Sequence, residues 1–326
     1  MAGQTFAISA DGGYLSIAKL SRTIRHAAQP LMKFRQFTRI EPGLGMGRGD
    51  TLNFNKLSNV QTQGGTICEL QDIPETNVSI TRGTLVLQEW GNSIPYTGKL
   101  EALSEFSTDN LFTVAIRNDM AKVLDKAVSD EMRNSDTIYI PTSASAGTWD
   151  DDGTVSTTAT ANLSIFHVKE IIDALKTGQF GGTTLGTNAG NPVPPYDGEN
   201  YMSIASVKAL RGLKDDPDWE SAIKYADPER FLNGEVGRFY GCRFIESNNT
   251  NALSNGVGTN SVLGEAFFFG ADTIAEGVAI PEEVRVKIPV KYGRDKGIAW
   301  YALLGFKIIW DLTTDKESHI VRVTSA

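Results

Sequence analysis

The chain has 326 residues, 40% of them hydrophobic and 21% charged, enough to bury one large core or several smaller ones and too apolar for a disordered chain. Its 31 Lys plus Arg against 39 Asp plus Glu leave a net charge of −8, which excludes a protein that grips nucleic acid with most of its surface. The opening MAGQTFAISADGGY lacks the basic and apolar regions of a secretion signal, and no window reaches the roughly 18 apolar residues of a membrane span, so a cytoplasmic site of synthesis is expected.

Residues 1–42 have weak periodicity and read as an arm, with a short helix expected around Ile17 to Ala28. Its bases Lys19, Arg22, Arg25, Lys33, Arg35 and Arg39 are uninterrupted by an acid, so the stretch suits phosphates or an acidic neighbour as well as a solvated arm. GLGMGRGD follows, with Gly43, Gly45, Gly47 and Gly49 at alternate positions. This is not a dinucleotide fingerprint, and a hinge is expected. The Arg48-Gly49-Asp50 tripeptide is too short to carry meaning. TLNFNKL and NVSITRGTLVLQEW have strand character, and the turn-rich GGTICELQDIPETN between them makes a long hairpin. Its tip holds few apolar residues, so the hairpin needs something else to lie on.

From about Leu103 to Arg133 an apolar stripe (Leu111, Ile116, Met120, Leu124, Val128, Met132) recurs at helical spacing without Gly or Pro. This predicts a spine helix about 45 Å long, capped by Ser104 or Ser107. Residues 142–161 read as a polar loop, and Leu163 to Lys176 as a second helix. Residues 177–199 are again loop. A short strand ending near Ile204 is followed by helical turns around Val207–Leu213 and Trp219–Tyr225. The remainder is mostly strand: GRFYGCRFIES, AFFFGADT, VRVKIPVKYG, GIAWYALLGFKIIWDL and HIVRVTSA.

Catalytic patterns are missing. His26, His167 and His319 share no spacing, and His167, inside the second helix, reads as a core or interface histidine. Cys68 and Cys242 have no metal or redox spacing and read as reduced, buried thiols, with a single bridge between neighbouring subunits as the alternative. Asp150-Asp151-Asp152-Gly153 lacks the alternation of a calcium loop and reads as a solvated turn. Asp215-Asp216-Pro217-Asp218 reads as a helix stop and restart. No cofactor, metal or enzymatic activity is expected.

The order of elements resembles the tailed-phage major capsid proteins of the Hong Kong 97 type. GDTLNFNKL, ELQDIPETN and TLVLQEWGNSIPYTG resemble the extended loop in the subfamily that includes the phage N-four coat protein. LEALSEFSTDNLF through MRNSD resembles its spine helix, and NYMSIASVKALRGLKDDPDW its Tyr-x-x-Ile segment. GEVGRFYGCRFIES with AFFFGAD, and GIAWYALLGFKIIWD, resemble its carboxyl-terminal strands. The likeness covers residues 40–326. One departure is Glu69-Leu70-Gln71-Asp72 where relatives often carry Glu-Gly at the hairpin tip.

The resemblance implies an α+β subunit with an N-terminal arm (1–42), an extended loop (43–99), a peripheral domain with the spine helix (100–160), a mainly axial domain (161–250) and return strands shared by both (251–326). It implies a shell of pentamers and hexamers around phage double-stranded DNA, assembled in the host cytoplasm and resident in the virion. A portal and a scaffold or decoration protein are the further partners implied. The hairpin would contact a neighbouring subunit through Lys56, Cys68, Glu69, Asp72, Glu75 and Arg82, and the basic arm would face DNA or a neighbour. With no lysine at the tip between Asn59 and Thr81, an isopeptide crosslink like that of some family members is not expected. A cellular nanocompartment shell of the same fold, or a phage tail protein, are the competing readings.

Overall fold

The computed structural model describes residues 32–42, 49–57, 65–69, 72, 73, 75, 77, 78, 80–104, 107–154, 159–180, 191–217, 219, 235–315 and 317–324. The expected hinge at 43–48, the helix at 17–28, His26 and the turns at 220–225 lie outside them.

Two mixed sheets form the body. The first has the order β1-β11-β12-β4, from β1 (Arg39–Pro42), β4 (Gln88–Thr97), β11 (Ile274–Val286) and β12 (Asp295–Ile308). The second has the order β6-β5-β13-β10-β7-β9-β8. Its strands are β5 (Ile138–Ser143), β6 (Ala146–Asp150), β7 (Tyr201–Ser206), β8 (Glu235–Phe239), β9 (Cys242–Ser247), β10 (Ala266–Phe269) and β13 (Ile320–Val323). A separate hairpin pairs β2 (Thr51–Leu57) with β3 (Ile80–Val86). The fold class is α+β, as the order of predicted elements implied.

The continuous AFFF run of β10 reflects a sheet buried on both faces. Successive side chains alternate between faces, so Ala266 and Phe268 enter one core with Val321 and Val323 of β13, while Phe267 and Phe269 enter another with Ile320. Helix α3 (Ile165–Thr177) covers the first face with Val168, Ile171, Ile172 and Leu175. It stops at Gly178, whose φ of +67° suits glycine. A Cβ there would lie 2.0 Å from the Asn191 carbonyl oxygen.

The spine helix is shorter than its sequence suggests. α1 (Gly98–Leu103) is followed by extended backbone at Ser104, and α2 (Thr108–Met132) starts after Ser107. Ser107 is the N-cap of α2 in extended conformation but its side chain makes no capping bond, and Ser104 is the C-cap of α1 instead. At 25 residues, α2 spans about 37 Å. Ile116 and Leu124 pack on Tyr96, Ile298 and Trp300 of the four-stranded sheet. Val128 and Met132 join Phe267 and Phe269 on the seven-stranded one. One helix thus ties the two sheets together.

The expected polar loop at 142–161 instead contains the β5–β6 hairpin. Trp149 stacks edge-on against Tyr139, with ring centroids 4.8 Å apart, and Gly147 sits where a Cβ would strike the Tyr139 hydroxyl. One aromatic pair and one glycine make a strand of a stretch that composition marks as loop. Asp150 and Asp152 close a turn, accepting the N–H groups of Asp152 (3.0 Å) and Thr154 (2.7 Å).

His167 is a core residue, as its place in the helix suggested. Its Nδ1 accepts the Ser164 N–H at 3.0 Å, and Nε2 faces the Ser143 carbonyl at 2.9 Å. His319 stacks on Trp310 and directs Nδ1 at the Ala271 carbonyl, 2.8 Å away. Burial holds both imidazoles below the ordinary histidine range, with the carbonyls opposing. The unfolded chain therefore takes up protons near pH 6.5 that the folded chain refuses, so this contribution is full above that pH and is lost as pH falls. The thermal midpoint should drop more steeply between about pH 7 and about pH 5 in the wild type than in a His167→Gln, His319→Gln variant. Equal slopes would refute this.

Candidate assembly surfaces

The β2–β3 hairpin pairs in register from Thr51↔Val86 to Leu57↔Ile80. Only its root is buried. Leu85 is fully inaccessible and packs with Leu87, Ala275, Leu52 and Phe54. Lys56 donates to Asp315 of α4 (Leu312–Asp315) and to the Ile309 carbonyl at 2.8 Å. Asp315 also accepts the Thr81 hydroxyl (2.5 Å) and the Asp311 N–H (3.0 Å). The rings of Phe54 and Trp310 lie 5.9 Å from the Lys56 ammonium. The expectation that Lys56 reaches a neighbour is corrected here. It is buried, and its charge is satisfied by an acid 259 residues away in its own chain.

Beyond that anchor the hairpin is bare. Leu57 and Ile80 are exposed by 63% and 69%. Farther out, Cys68, Glu69, Asp72 and Glu75 are all exposed, together with Ile73 at 74%. Cys242 is buried as expected, whereas Cys68 is not. Arg82 is exposed on β3 and reaches across to Asn55 at 3.4 Å.

Of the basic arm, Lys19, Arg22 and Arg25 lie outside the described residues. Residues 32–42 are docked on the body rather than free. Phe34 is inaccessible and meets Phe267, while Phe37 contacts Phe269 and Tyr196. Asp125 of α2, whose pKa burial raises against opposing hydrogen bonds, accepts the Phe34 N–H at 2.8 Å and the Asn249 amide at 3.0 Å. Arg35 bonds Glu276 (2.8 Å) and Glu282 (2.7 Å), Thr38 donates to Glu276 (2.6 Å), and β1 then adds to β11 in parallel. Arg39 pairs with Asp272 at 2.7 Å. Arg35 and Arg39 are therefore answered by acids of their own chain, where an arm turned to DNA or to a neighbour, or a solvated one, was expected. Lys33 is half-buried. The acids that answer Arg35 stand 241 and 247 residues downstream, so inspection of the arm alone could not find them.

At the opposite end of the four-stranded sheet β11 and β12 project as a finger, residues 284–294. Val286, Ile288 and Tyr292 are exposed by 70%, 84% and 108%, and Lys287, Lys291 and Arg294 are exposed among them. This surface was missed in the sequence, although a run of eleven residues with four bases and no acid was a visible signal. Among the described residues no cluster of three His, Cys, Asp or Glu side chains is placed to hold a metal. No helix there is long and apolar enough to cross a membrane.

No family model matches the sequence, and no curated protein matches it. Solved structures do. The chain is similar to a chain from the head of Helicobacter pylori bacteriophage KHP40, with a TM-score of 0.74 at 14% identity, covering 100% of this chain and 99% of that one. A chain from the capsid of cyanophage P-SCSP1u gives 0.67 at 9% identity, covering 97% and 94%. One from the capsid of Ralstonia phage GP4 gives 0.63 at 12% identity, covering 100% and 99%. A docked amino-terminal segment, a hairpin standing out from the body, a long helix spanning two sheets and these matches over the whole length agree: the chain has the Hong Kong 97-type fold of phage capsid proteins.

Proposed function

We propose that this chain is the major capsid protein of a tailed phage, a structural subunit that assembles into pentamers and hexamers and encloses double-stranded DNA within the virion. The observation that carries this reading is the hairpin. Its root is fixed to the body by a buried ion pair, yet the strand ends beyond it expose Leu57 and Ile80, and the loop between them exposes Ile73. A two-stranded ribbon is marginal alone in water, and exposed apolar residues on an element with free edges mark an interaction surface. In a shell these edges and side chains lie across a neighbouring subunit.

The lobe built on the seven-stranded sheet would be the axial domain, gathered around five- and six-fold axes. α2 with the four-stranded sheet would form the peripheral one. Contacts of this kind are heterologous and close into rings. The net charge of −8 suits a shell whose inner face lets packaged DNA move rather than stick. A portal, and a scaffold or decoration protein, would complete the particle.

Electron microscopy of the purified full chain tests this reading. Closed shells or rings of five and six are the expected result. Replacing residues 65–78 with a short Gly-Ser turn should leave monomers or loose capsomers. Normal shells from that variant would refute the role given to the hairpin.

A further inference from the structure

The seven-stranded sheet ends in a basic crevice to which the shell reading gives no task. β7 and β9 run parallel, in register from Tyr201↔Cys242 to Ser206↔Ser247, so their carboxyl ends leave the sheet side by side. After β7 the chain enters the helical turn Arg211–Lys214, and after β9 it runs into the segment that holds Asn255. Chains that diverge from the carboxyl ends of neighbouring parallel strands open a crevice, the position in which open α/β sheets bind ligands. Here it is a cavity of about 500 Å³ lined by Val207, Lys208, Arg211, Lys214, Asp215 and Asn255.

The walls of this cavity are fixed from behind. Ala209, Leu210 and Leu213 are wholly buried, which turns positions 208, 211 and 214, three residues apart, to the opposite side. The Ser206 hydroxyl accepts the Ala209 N–H at 3.3 Å. Gly264 packs so closely on this bend that a Cβ there would lie 2.1 Å from the Ser206 Oγ. The Lys208 N–H donates to Asn255 Oδ1 at 3.3 Å. That bond holds the amide by its oxygen, and among the described residues its Nδ2 has no acceptor.

The charge of the lining is one-sided. Between Glu199 and Asp215 the sequence holds Lys208, Arg211 and Lys214 and no acid, in a chain whose net charge is −8. Lys214 is answered by Glu246. Among the described residues Lys208 and Arg211 have no acidic partner, and Lys208 is half-buried. Asp215, which is exposed, is the single acid of the lining. Two unanswered cations, a third shared with Glu246 and an amide donor thus meet on one concave surface. Such a set matches the oxygens of phosphate groups. A cavity of this size takes a whole small ligand rather than a single ion.

We propose that the crevice binds a chain of phosphate groups. Lys208 and Arg211 hold its oxygens, Asn255 Nδ2 donates beside them, and Lys214 is divided between the ligand and Glu246. Two sources carry this chemistry, a free polyphosphate such as a nucleoside triphosphate and the backbone of a nucleic acid. All the lining residues belong to one chain, so the site is complete before any assembly.

Isothermal titration calorimetry on the full chain tests this, with inorganic triphosphate in one arm and a single-stranded oligonucleotide of about ten nucleotides in the other. Saturable binding is expected in at least one arm. Lys208→Ala with Arg211→Ala should weaken it at least about tenfold, the scale of losing charge-assisted hydrogen bonds. Asp215→Asn should strengthen it about two- to fivefold, because the one opposing charge is gone. Lys291→Ala with Arg294→Ala, an equal loss of charge on the finger, should leave it unchanged. None of these side chains is buried, so the thermal midpoint of each variant should match the wild type and separate lost binding from lost folding. Tighter binding of triphosphate identifies a free polyphosphate as the ligand, and tighter binding of the oligonucleotide a nucleic-acid backbone. No saturable heat in either arm, or equal weakening by the finger substitutions, would overturn the proposal.

Discussion

Replacing Asp315 with alanine is expected to destabilise the chain by about 3–5 kcal/mol, the cost of leaving one partner of a buried ion pair uncompensated. The Lys56 and Asp315 side chains are exposed by only 6% and 1%. Without the carboxylate, the ammonium keeps the Ile309 carbonyl, two aromatic rings at 5.9 Å and the longer-range charge of Glu317. The Thr81 hydroxyl and the Asp311 N–H lose an acceptor in the same step. Removing both charges with Lys56→Met and Asp315→Leu should recover most of the loss, since apolar side chains of similar volume fill such a site without a desolvation penalty. Urea unfolding at neutral pH measures both variants. A loss below about 1 kcal/mol for Asp315→Ala would show that the site relaxes or admits water, so that the pair does not hold the hairpin root. Because the pair joins β2 and β3 to the segment after β12, the same variant should open the hairpin to proteolysis before the body unfolds.

The sequence made this hairpin legible and left its anchor hidden, for one physical reason. TLNFNKL alternates at the period of a strand, and the pairing Thr51–Leu57 with Ile80–Val86 follows it. The period-3.6 stripe behind α3 and the apolar run AFFF are local signals of the same kind. Asp315 carries no local signal. It lies in an unremarkable LTTD turn and meets Lys56 only through the topology of the sheet. The basic arm misled in the same way. A run without acids reads as unneutralised, yet Glu276 and Glu282 reach Arg35 from the far end of the sequence. Local pattern reports which elements form, and the charges are answered across them. The β5–β6 hairpin shows the converse, since the Trp149–Tyr139 contact outweighs a composition that marks turn and loop.

Glu265 is the second hidden centre, and its loss should cost as much as that of Asp315. Its side chain, exposed by 2%, stands just before β10 and accepts from four donors. Arg133 at the end of α2 engages both oxygens, at 2.9 and 2.7 Å. Arg322 of β13 reaches one at 3.2 Å, and the Ser254 N–H the other at 3.1 Å. The two arginines do not share it equally. Burial lowers the pKa of both, but Glu265 and Asp130 outweigh it for Arg133, whereas Arg322, facing Arg133 as well, is left below its ordinary value. A bidentate fork on one side and a single bond on the other explain the difference. Glu265→Ala would strand two half-buried guanidiniums at the junction of helix, loop and last strand, and a loss of about 3–5 kcal/mol is expected. Arg322→Met should cost less than Arg133→Met, because it leaves the bidentate pair whole and removes the guanidinium that burial most disfavours. Chemical unfolding of the three variants gives the order directly. If Arg322→Met proved the most damaging, β13 rather than α2 would be the element that this carboxylate secures, and the helix would owe its position to its other contacts, Ile116 and Leu124 on one sheet, Val128 and Met132 on the other.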